Sequence, residues 1–258
     1  MSYASNQGVR IHYQFEGKGP PVVLMHGLSE THETWHIASY VESMKKQYRL
    51  ILVDARGHGD SDKPHDPKDY SMKLMVFDVI AVIDDLKISK AHFIGYSMGG
   101  WVGFGIAKYT PQRFYSLIIG CMHPYVKLNE PEQSFQWLKL DIDDKVALAE
   151  TWLGSGMTPK WKVWTHTRFA ANDFQALIAL VSGDWPRGFD EVLPTMTMPV
   201  LVFVGENDPF FSSARECAKS IPNATFVSFP GLDHTQTFIR KDLVLPHITR
   251  FLKSVSQP

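Results

Sequence analysis

The sequence predicts an α/β fold built on a mostly parallel sheet with helices on both faces. Three observations carry that expectation. Short, nearly continuous apolar runs rich in β-branched residues recur along the chain, as strands covered on both faces require. Longer helical patterns separate them. The residues with the most chemical potential stand just past the C-terminal ends of those runs, where open parallel sheets place their sites.

Val9 to Phe15 alternates like an early, half-exposed strand, and Gly17-Lys18-Gly19-Pro20 turns it. Pro21 to Met25, Leu50 to Val53, His92 to Gly95, Ser116 to Ile119, Val200 to Val204 and Thr225 to Phe229 are the further strands. Helical patterns fall at roughly 37–46, 72–87, 99–109, 212–220 and 236–254. The stretch 122–196 breaks the rhythm. It has no strand-like run and carries Trp137, Trp152, Trp161, Trp164 and Trp185, with helical patches at Lys145 to Leu153 and Asp173 to Val181. Gly154, Gly156, Pro159 and Pro186 punctuate it. It reads as a helical cap inserted between two strands of a core formed by 1–121 and 197–258, most simply a lid over the strand ends. Each tryptophan taken singly reads first as a packing residue.

At 258 residues the chain is long enough to bury a substantial core. A formal charge of -1 and 21% charged residues give no basic surplus for nucleic acid and no acidic solvating tail. Met1 to Gly8 lacks the basic and apolar regions of a signal peptide, and no apolar run approaches the roughly 18 residues of a bilayer span. Cys121 and Cys217, far apart, read as free thiols in a reducing compartment, with their pairing left open. The expectation is a cytoplasmic protein, monomer or homodimer, with a small-molecule substrate and no nucleic-acid or membrane partner.

Gly95-Tyr96-Ser97-Met98-Gly99 follows an apolar strand and precedes a helix at Gly100 to Ala107. It reads as a sharp turn that holds a serine hydroxyl at its tip, flanked by glycines because side chains would collide across the bend. A serine is a poor nucleophile alone, so the motif calls for a base, an acid to orient it and an oxyanion site. Three other strand ends carry candidates: His26-Gly27-Leu28-Ser29, Gly205-Glu206-Asn207-Asp208-Pro209 and Gly231-Leu232-Asp233-His234. The chain order is serine, aspartate, histidine.

That order, the elbow, His26-Gly27 after an early strand, and Asp54-Ala55-Arg56-Gly57-His58-Gly59-Asp60-Ser61-Asp62 after the next together resemble the α/β-hydrolase superfamily. The likeness spans essentially the whole chain and implies an eight-stranded sheet with a helical cap. It implies Ser97 as nucleophile, His234 as general base and acid, and Asp208 as the group that orients the imidazole. The N–H groups of Leu28 and Met98 would form the oxyanion hole. Glu206 is the one nearby rival of Asp208, while Asp233 reads as a helix cap, and Arg56 and His58 as structural hydrogen-bonding residues. Met122 and Trp137 on the cap side, with Phe210 and Phe211 after the acid, are candidate substrate-pocket walls.

His32-Glu33-Thr34-Trp35-His36 matches a zinc pattern. It needs a continuous helix, and here the chain is only entering one, with no evident third ligand; no metal and no cofactor are expected. Haloalkane dehalogenases and epoxide hydrolases of this superfamily use a carboxylate where Ser97 stands. Some menaquinone-pathway relatives with a very similar elbow carry an arginine at the position of Trp101. Both departures disfavour those activities, and the serine–aspartate–histidine set with a cap rich in Trp, Met and Phe points to a serine hydrolase of esters or lactones. A C–C bond hydrolase of ring-cleavage products is the alternative, with Arg168 or Arg187 to meet substrate carboxylates. A hydrolase-fold small-molecule receptor is the third reading.

Overall fold

Strands covered on both faces have no polar side to alternate, and five of them bury nearly every residue: β3 (Pro21–Met25), β4 (Arg49–Val53), β5 (Ala91–Tyr96), β6 (Phe114–Gly120) and β7 (Val200–Gly205). In the computed structural model, which describes residues 2–125, 135–183 and 189–255, these form the middle of one eight-stranded sheet. Its order is β1-β2-β4-β3-β5-β6-β7-β8. The more exposed strands β1 (Ser2–Asn6), β2 (Val9–Glu16) and β8 (Ala224–Phe229) lie toward the edges. β1 pairs antiparallel with β2, and β2 antiparallel with β4; every pairing from β4 through β8 is parallel.

The chain runs from β3 outward to β4 and then back across β3 to β5. The strand order therefore reverses between β3 and β5, the crevice where sheets of this type bind ligands. Register fixes what meets there. Met25 lies opposite Gly95, and Tyr96 opposite Gly120, so the loop at 26–30 and the turn at Ser97 leave the sheet side by side.

Two long helices pack against this sheet. Helix α3 (Met72–Asp85) is capped by Ser71 Oγ, which accepts from Leu74 N–H at 3.3 Å. Helix α4 (Met98–Tyr109) starts directly at the Ser97 turn and is buried almost all round. The expected helix near 37–46 is two short ones, α1 (Glu33–Ile37) and α2 (Tyr40–Met44), because Ser39 takes a left-handed conformation between them. Strand β1 was not expected: Ser-Tyr-Ala-Ser-Asn offers one buried residue, Ala4, and gains its strand character from pairing with β2.

Between β6 and β7 the described residues are helical: α5 (Ile142–Leu153), α6 (Pro159–Trp164) with a π-helical turn at Thr165–Phe169, and α7 (Phe174–Ser182). Trp185, Pro186 and Arg187 lie outside the described residues. Specific contacts tie this segment to the rest. Arg168 pairs with Glu33 at 2.5 and 2.9 Å, Asn172 Nδ2 donates to Ser29 O at 2.8 Å, and His65 Nε2 meets Asp173 at 2.8 Å. Helices α8 (Phe211–Ser220), α9 (His234–Ile239) and α10 (Lys241–Ser254) complete the chain. The last two replace one expected helix; Arg240 leaves helical geometry between them and pairs with Asp242. Among the described residues no helix is long and apolar enough to cross a membrane.

The loop after β4 is anchored by a buried ion pair. The Arg56 guanidinium donates to both Asp78 oxygens at 2.6 Å and to the carbonyl of Asp69, while Asn6 Nδ2 donates to Asp78 at 2.8 Å. Arg56 and Asp78 are each about 1% exposed, so removing one partner strands the other's charge in a dry site. Asp78→Ala is expected to lose about 3–5 kcal/mol in denaturant unfolding; a loss below about 1 kcal/mol would show the pair to be unimportant.

Candidate active site

The Ser97 turn is built by steric necessity. A Cβ on Gly95 would lie 2.1 Å from Gly99 O, and one on Gly99 would lie 2.2 Å from Met25 O. Only glycine lets the first turn of α4 cross both strands so closely. Ser97 itself takes φ 53°, ψ −117°, a sparsely populated conformation that costs on the order of 1–3 kcal/mol. Backbone bonds hold it there: Ser97 N–H donates to Gly120 O (2.9 Å), Gly99 N–H to His26 O (3.1 Å) and Trp101 N–H to Ser97 O (3.1 Å).

Asp208 follows β7 and His234 opens α9 after β8, while Ser97 follows β5. The three meet above the strand ends. Ser97 Oγ lies 3.0 Å from His234 Nε2, and His234 Nδ1 lies 2.7 Å from Asp208 Oδ2. The carboxylate accepts, so Nδ1 carries the ring proton and Nε2 is left to accept from the serine. Burial pushes the Asp208 carboxyl up, but the His234 bond and charge and the Phe210 N–H hold it below its usual range. Tyr96 Oη donates to His234 O at 2.5 Å and approaches Cys121 Sγ at 2.9 Å. Cys121, directly after β6, donates its N–H to Phe203 O at 2.8 Å, and burial beside Asp208 raises its thiol well above the normal range.

Across the crevice, the loop after β3 brings Gly27 against the serine: a Cβ on Gly27 would sit 3.4 Å from Ser97 Cβ. His26 organises this loop. Its Nε2 accepts from Ala55 N–H at 3.2 Å, so Nδ1 carries the proton and donates to Gly27 O at 2.8 Å. Burial lowers its pKa, which suits that neutral form. His58 repeats the logic, accepting from Ser29 N–H at 3.1 Å and donating to Arg56 O at 3.1 Å, with burial pushing it down to about 3. Among the described residues, neither Leu28 N–H nor Met98 N–H bonds a carbonyl or side chain.

Of the expected pocket walls, Phe210 stands edge-on to His234 with ring centroids 5.5 Å apart. Met122 abuts Gly100 in the first turn of α4. Phe211 instead packs on Phe226 and under Arg215, and Trp137 joins an aromatic cluster with Trp152, Phe169 and Phe174. Neither of these two makes a ring contact with His234 among the described residues. Glu206 bonds Ser228 Oγ and is exposed, while Asp233 forms a capping box with Gln236. Arg168 is committed to Glu33 and lies 3.8 Å from Asp60.

Among the described residues, two clusters bring metal-ligand atoms within 4.8 Å: His12, His32 and Asp54, and Cys121, Asp208 and His234. In both, the carboxylate already bonds imidazole Nδ1 atoms, at 2.8 and 2.9 Å for Asp54 and 2.7 Å for Asp208. The second imidazole of the zinc-like motif, His36, meets Glu16 at 3.3 Å and is not part of the His32 cluster.

Sequence reasoning missed Glu30. Its Oε2 accepts from Gly27 N–H at 3.0 Å and would lie 3.3 Å from a Cβ on Gly27, the face that Ser97 shares. The signal was a lone carboxylate three residues beyond Gly27, the spacing of a side chain folding back on its own turn. Desolvation pushes it up to about 7, against the pulls of Gly27 N–H and His234. Between roughly 4.5 and 7 the folded chain holds a proton there that the unfolded chain has released, so stability falls as pH rises through that window, by on the order of 3 kcal/mol. Glu30→Gln removes this slope. The variant's Tm advantage is expected to widen from pH 5 to pH 8; an equal difference at both would contradict the assignment.

Residues 20–159 match the family model described as the alpha/beta hydrolase fold. A Bacillus subtilis protein bearing the name of a 2-succinyl-6-hydroxy-2,4-cyclohexadiene-1-carboxylate synthase is 27% identical over 97% of both chains. 3-Oxoadipate enol-lactonase 1 of Acinetobacter baylyi is 34% identical over 45% of this chain and 42% of its own length. The crystal structure of esterase RhEst1 from Rhodococcus sp. ECU1013 superposes with a TM-score of 0.85 at 22% identity, covering 98% of each chain.

Proposed function

Because the chain belongs to the alpha/beta hydrolase fold family, we propose that it is a cofactor-free serine hydrolase that cleaves small carboxylic esters or lactones through an acyl-enzyme on Ser97. The observation that carries this reading is the unbroken relay from Ser97 Oγ to His234 Nε2 (3.0 Å) and from His234 Nδ1 to Asp208 (2.7 Å).

In this reading Ser97 Oγ attacks the acyl carbon as His234 Nε2 takes its proton, and Asp208 stabilises the imidazolium. Negative charge builds on the former carbonyl oxygen, which the N–H groups of Leu28 and Met98 receive. The intermediate collapses, the C–O bond to the leaving group breaks, and His234 returns the proton to the departing alkoxide. Water then enters by the mirror-image sequence: His234 takes its proton, the acyl group leaves as the acid, and Ser97 regains its hydrogen. In a lactone the leaving alkoxide stays tethered to the acyl group. The helical segment between β6 and β7 would act as the cap, since Trp161 packs toward Phe238 on the His234 helix.

The relative names favour this class in different degrees: enol-lactonase and esterase name it directly, whereas the synthase does not. Arg168, offered from sequence as a carboxylate receptor, spends its charge on Glu33, which weakens the C–C hydrolase alternative. Both cysteines are buried and free, in keeping with a cytoplasmic setting.

Ser97→Ala is expected to lower kcat on p-nitrophenyl esters by about 10⁴-fold or more, and Asp208→Asn by about 10⁴-fold. Assays against an ester and lactone panel test this. Ser97→Ala turning over as fast as the parent would refute the mechanism, and one slow event with retained product would point to a receptor.

A further inference from the structure

We propose that Glu30 is the positioning residue of the oxyanion loop: it grips both peptide groups that aim Leu28 N–H at the developing oxyanion. The proposal rests on the serine-hydrolase reading above.

Two consecutive peptides set the direction of Leu28 N–H. The first, His26–Gly27, is held at both ends. Its N–H donates to Glu30 Oε2 at 3.0 Å, and its C=O accepts from Gly99 N–H at 3.1 Å, in the Ser97 elbow. The second, Gly27–Leu28, carries the donor itself. Its C=O accepts from His26 Nδ1 at 2.8 Å and from Glu30 N–H at 3.3 Å. A planar trans peptide points its N–H opposite its C=O, so anchoring that carbonyl on the far side turns Leu28 N–H toward the crevice. Glu30 thus contributes to both peptides, by side chain on one and backbone on the other. Without the carboxylate, Gly27 N–H loses its partner, and a glycine pair of soft dihedrals is freer to rotate.

The placement argues for function over packing. Glu30 is half-buried and forms no ion pair among the described residues. A carboxylate desolvated without a cation costs stability, and its one hydrogen bond could be given by a neutral amide of the same shape. What the position requires is an acceptor at that reach. The loop's other ties, Ser29 O to Asn172 and Ser29 N–H to His58, lie beyond Leu28 and cannot replace it.

Reach and charge are separable by substitution. Glu30→Gln keeps the acceptor and removes the charge; Glu30→Asp keeps the charge and withdraws the acceptor by one methylene; Glu30→Ala removes both. All three and the parent are assayed on p-nitrophenyl butyrate, with inhibition by phenylboronic acid, whose serine adduct places an oxygen in the oxyanion site. Glu30→Gln is expected to keep kcat within about threefold of the parent. Glu30→Asp and Glu30→Ala should lose about 10- to 100-fold in kcat, a fraction of the 10²–10³ typical of deleting a whole donor, with KM changed less than about threefold. Boronate affinity should fall in step with kcat. Glu30→Asp alone carries the test if the alanine variant does not fold.

Parent-like kcat in Glu30→Asp with a loss in Glu30→Gln would make charge the operative property and overturn the proposal. Equal losses in Glu30→Gln and Glu30→Asp would also overturn it, by showing that an acceptor at that reach is not what the position supplies. Parent turnover that survives Ser97→Ala would remove the hydrolase reading and this proposal with it. Ser97-dependent turnover that ignores Glu30 would remove this proposal alone.

Discussion

The close crossing of the α4 N-terminus over strands β3 and β5 is the constraint on which the site depends. Gly95 and Gly99 permit backbone approaches that any Cβ would close to about 2 Å. Ser97, between them, is left in a conformation few L-residues adopt. The strain persists because Gly120, His26 and Trp101 bond its neighbourhood from three sides. In return, the serine hydroxyl is presented to His234, with Oγ 3.0 Å from Nε2. Relaxing the turn would misplace the proposed nucleophile and the proposed Met98 donor together.

The same crossing couples the two halves of the site. Gly99 N–H bonds His26 O, so the elbow and the loop after β3 are one hydrogen-bonded unit across the point where the strand order reverses. Behind that loop, Asp54 accepts from His32 N–H at 2.7 Å and Asp60 N–H at 3.0 Å, and bonds the imidazoles of His12 and His32. A buried carboxylate with that many donors keeps its charge: burial raises its pKa, but the two imidazoles bring it well below the normal range. It thereby fixes the chain on either side of His26 and His58. The buried polar residues thus form a scaffold that sets loop geometry, and the metal-like spacing of His32 and His36 dissolves into it.

Much of this was legible in the sequence, for physical reasons. Central strands announce themselves because burial on both faces demands uninterrupted apolar runs, and Leu50 to Val53 or Val200 to Val204 could hardly be anything else. The elbow was legible because its glycines answer a steric demand, and Asp208 and His234 because each follows a strand. β1 was not legible, since its identity lies in pairing with β2 rather than in its own residues. Phe211 illustrates the limit of adjacency: one residue from Phe210, it starts helix α8 and turns to Phe226 instead of His234. Glu30 was less legible because its partner is the Gly27 N–H rather than another side chain, and a carboxylate three residues past a glycine is common in ordinary turns.

The proposed reaction passes through a covalent acyl group on Ser97. The most direct measurement is to quench the protein within milliseconds of mixing with p-nitrophenyl acetate and locate the added mass by peptide mass spectrometry. An acetyl group on the peptide containing Ser97, formed at least as fast as steady-state turnover and lost in step with product acid, is the predicted result. Turnover with Ser97 unmodified, or with the acetyl group only on another residue, would contradict it.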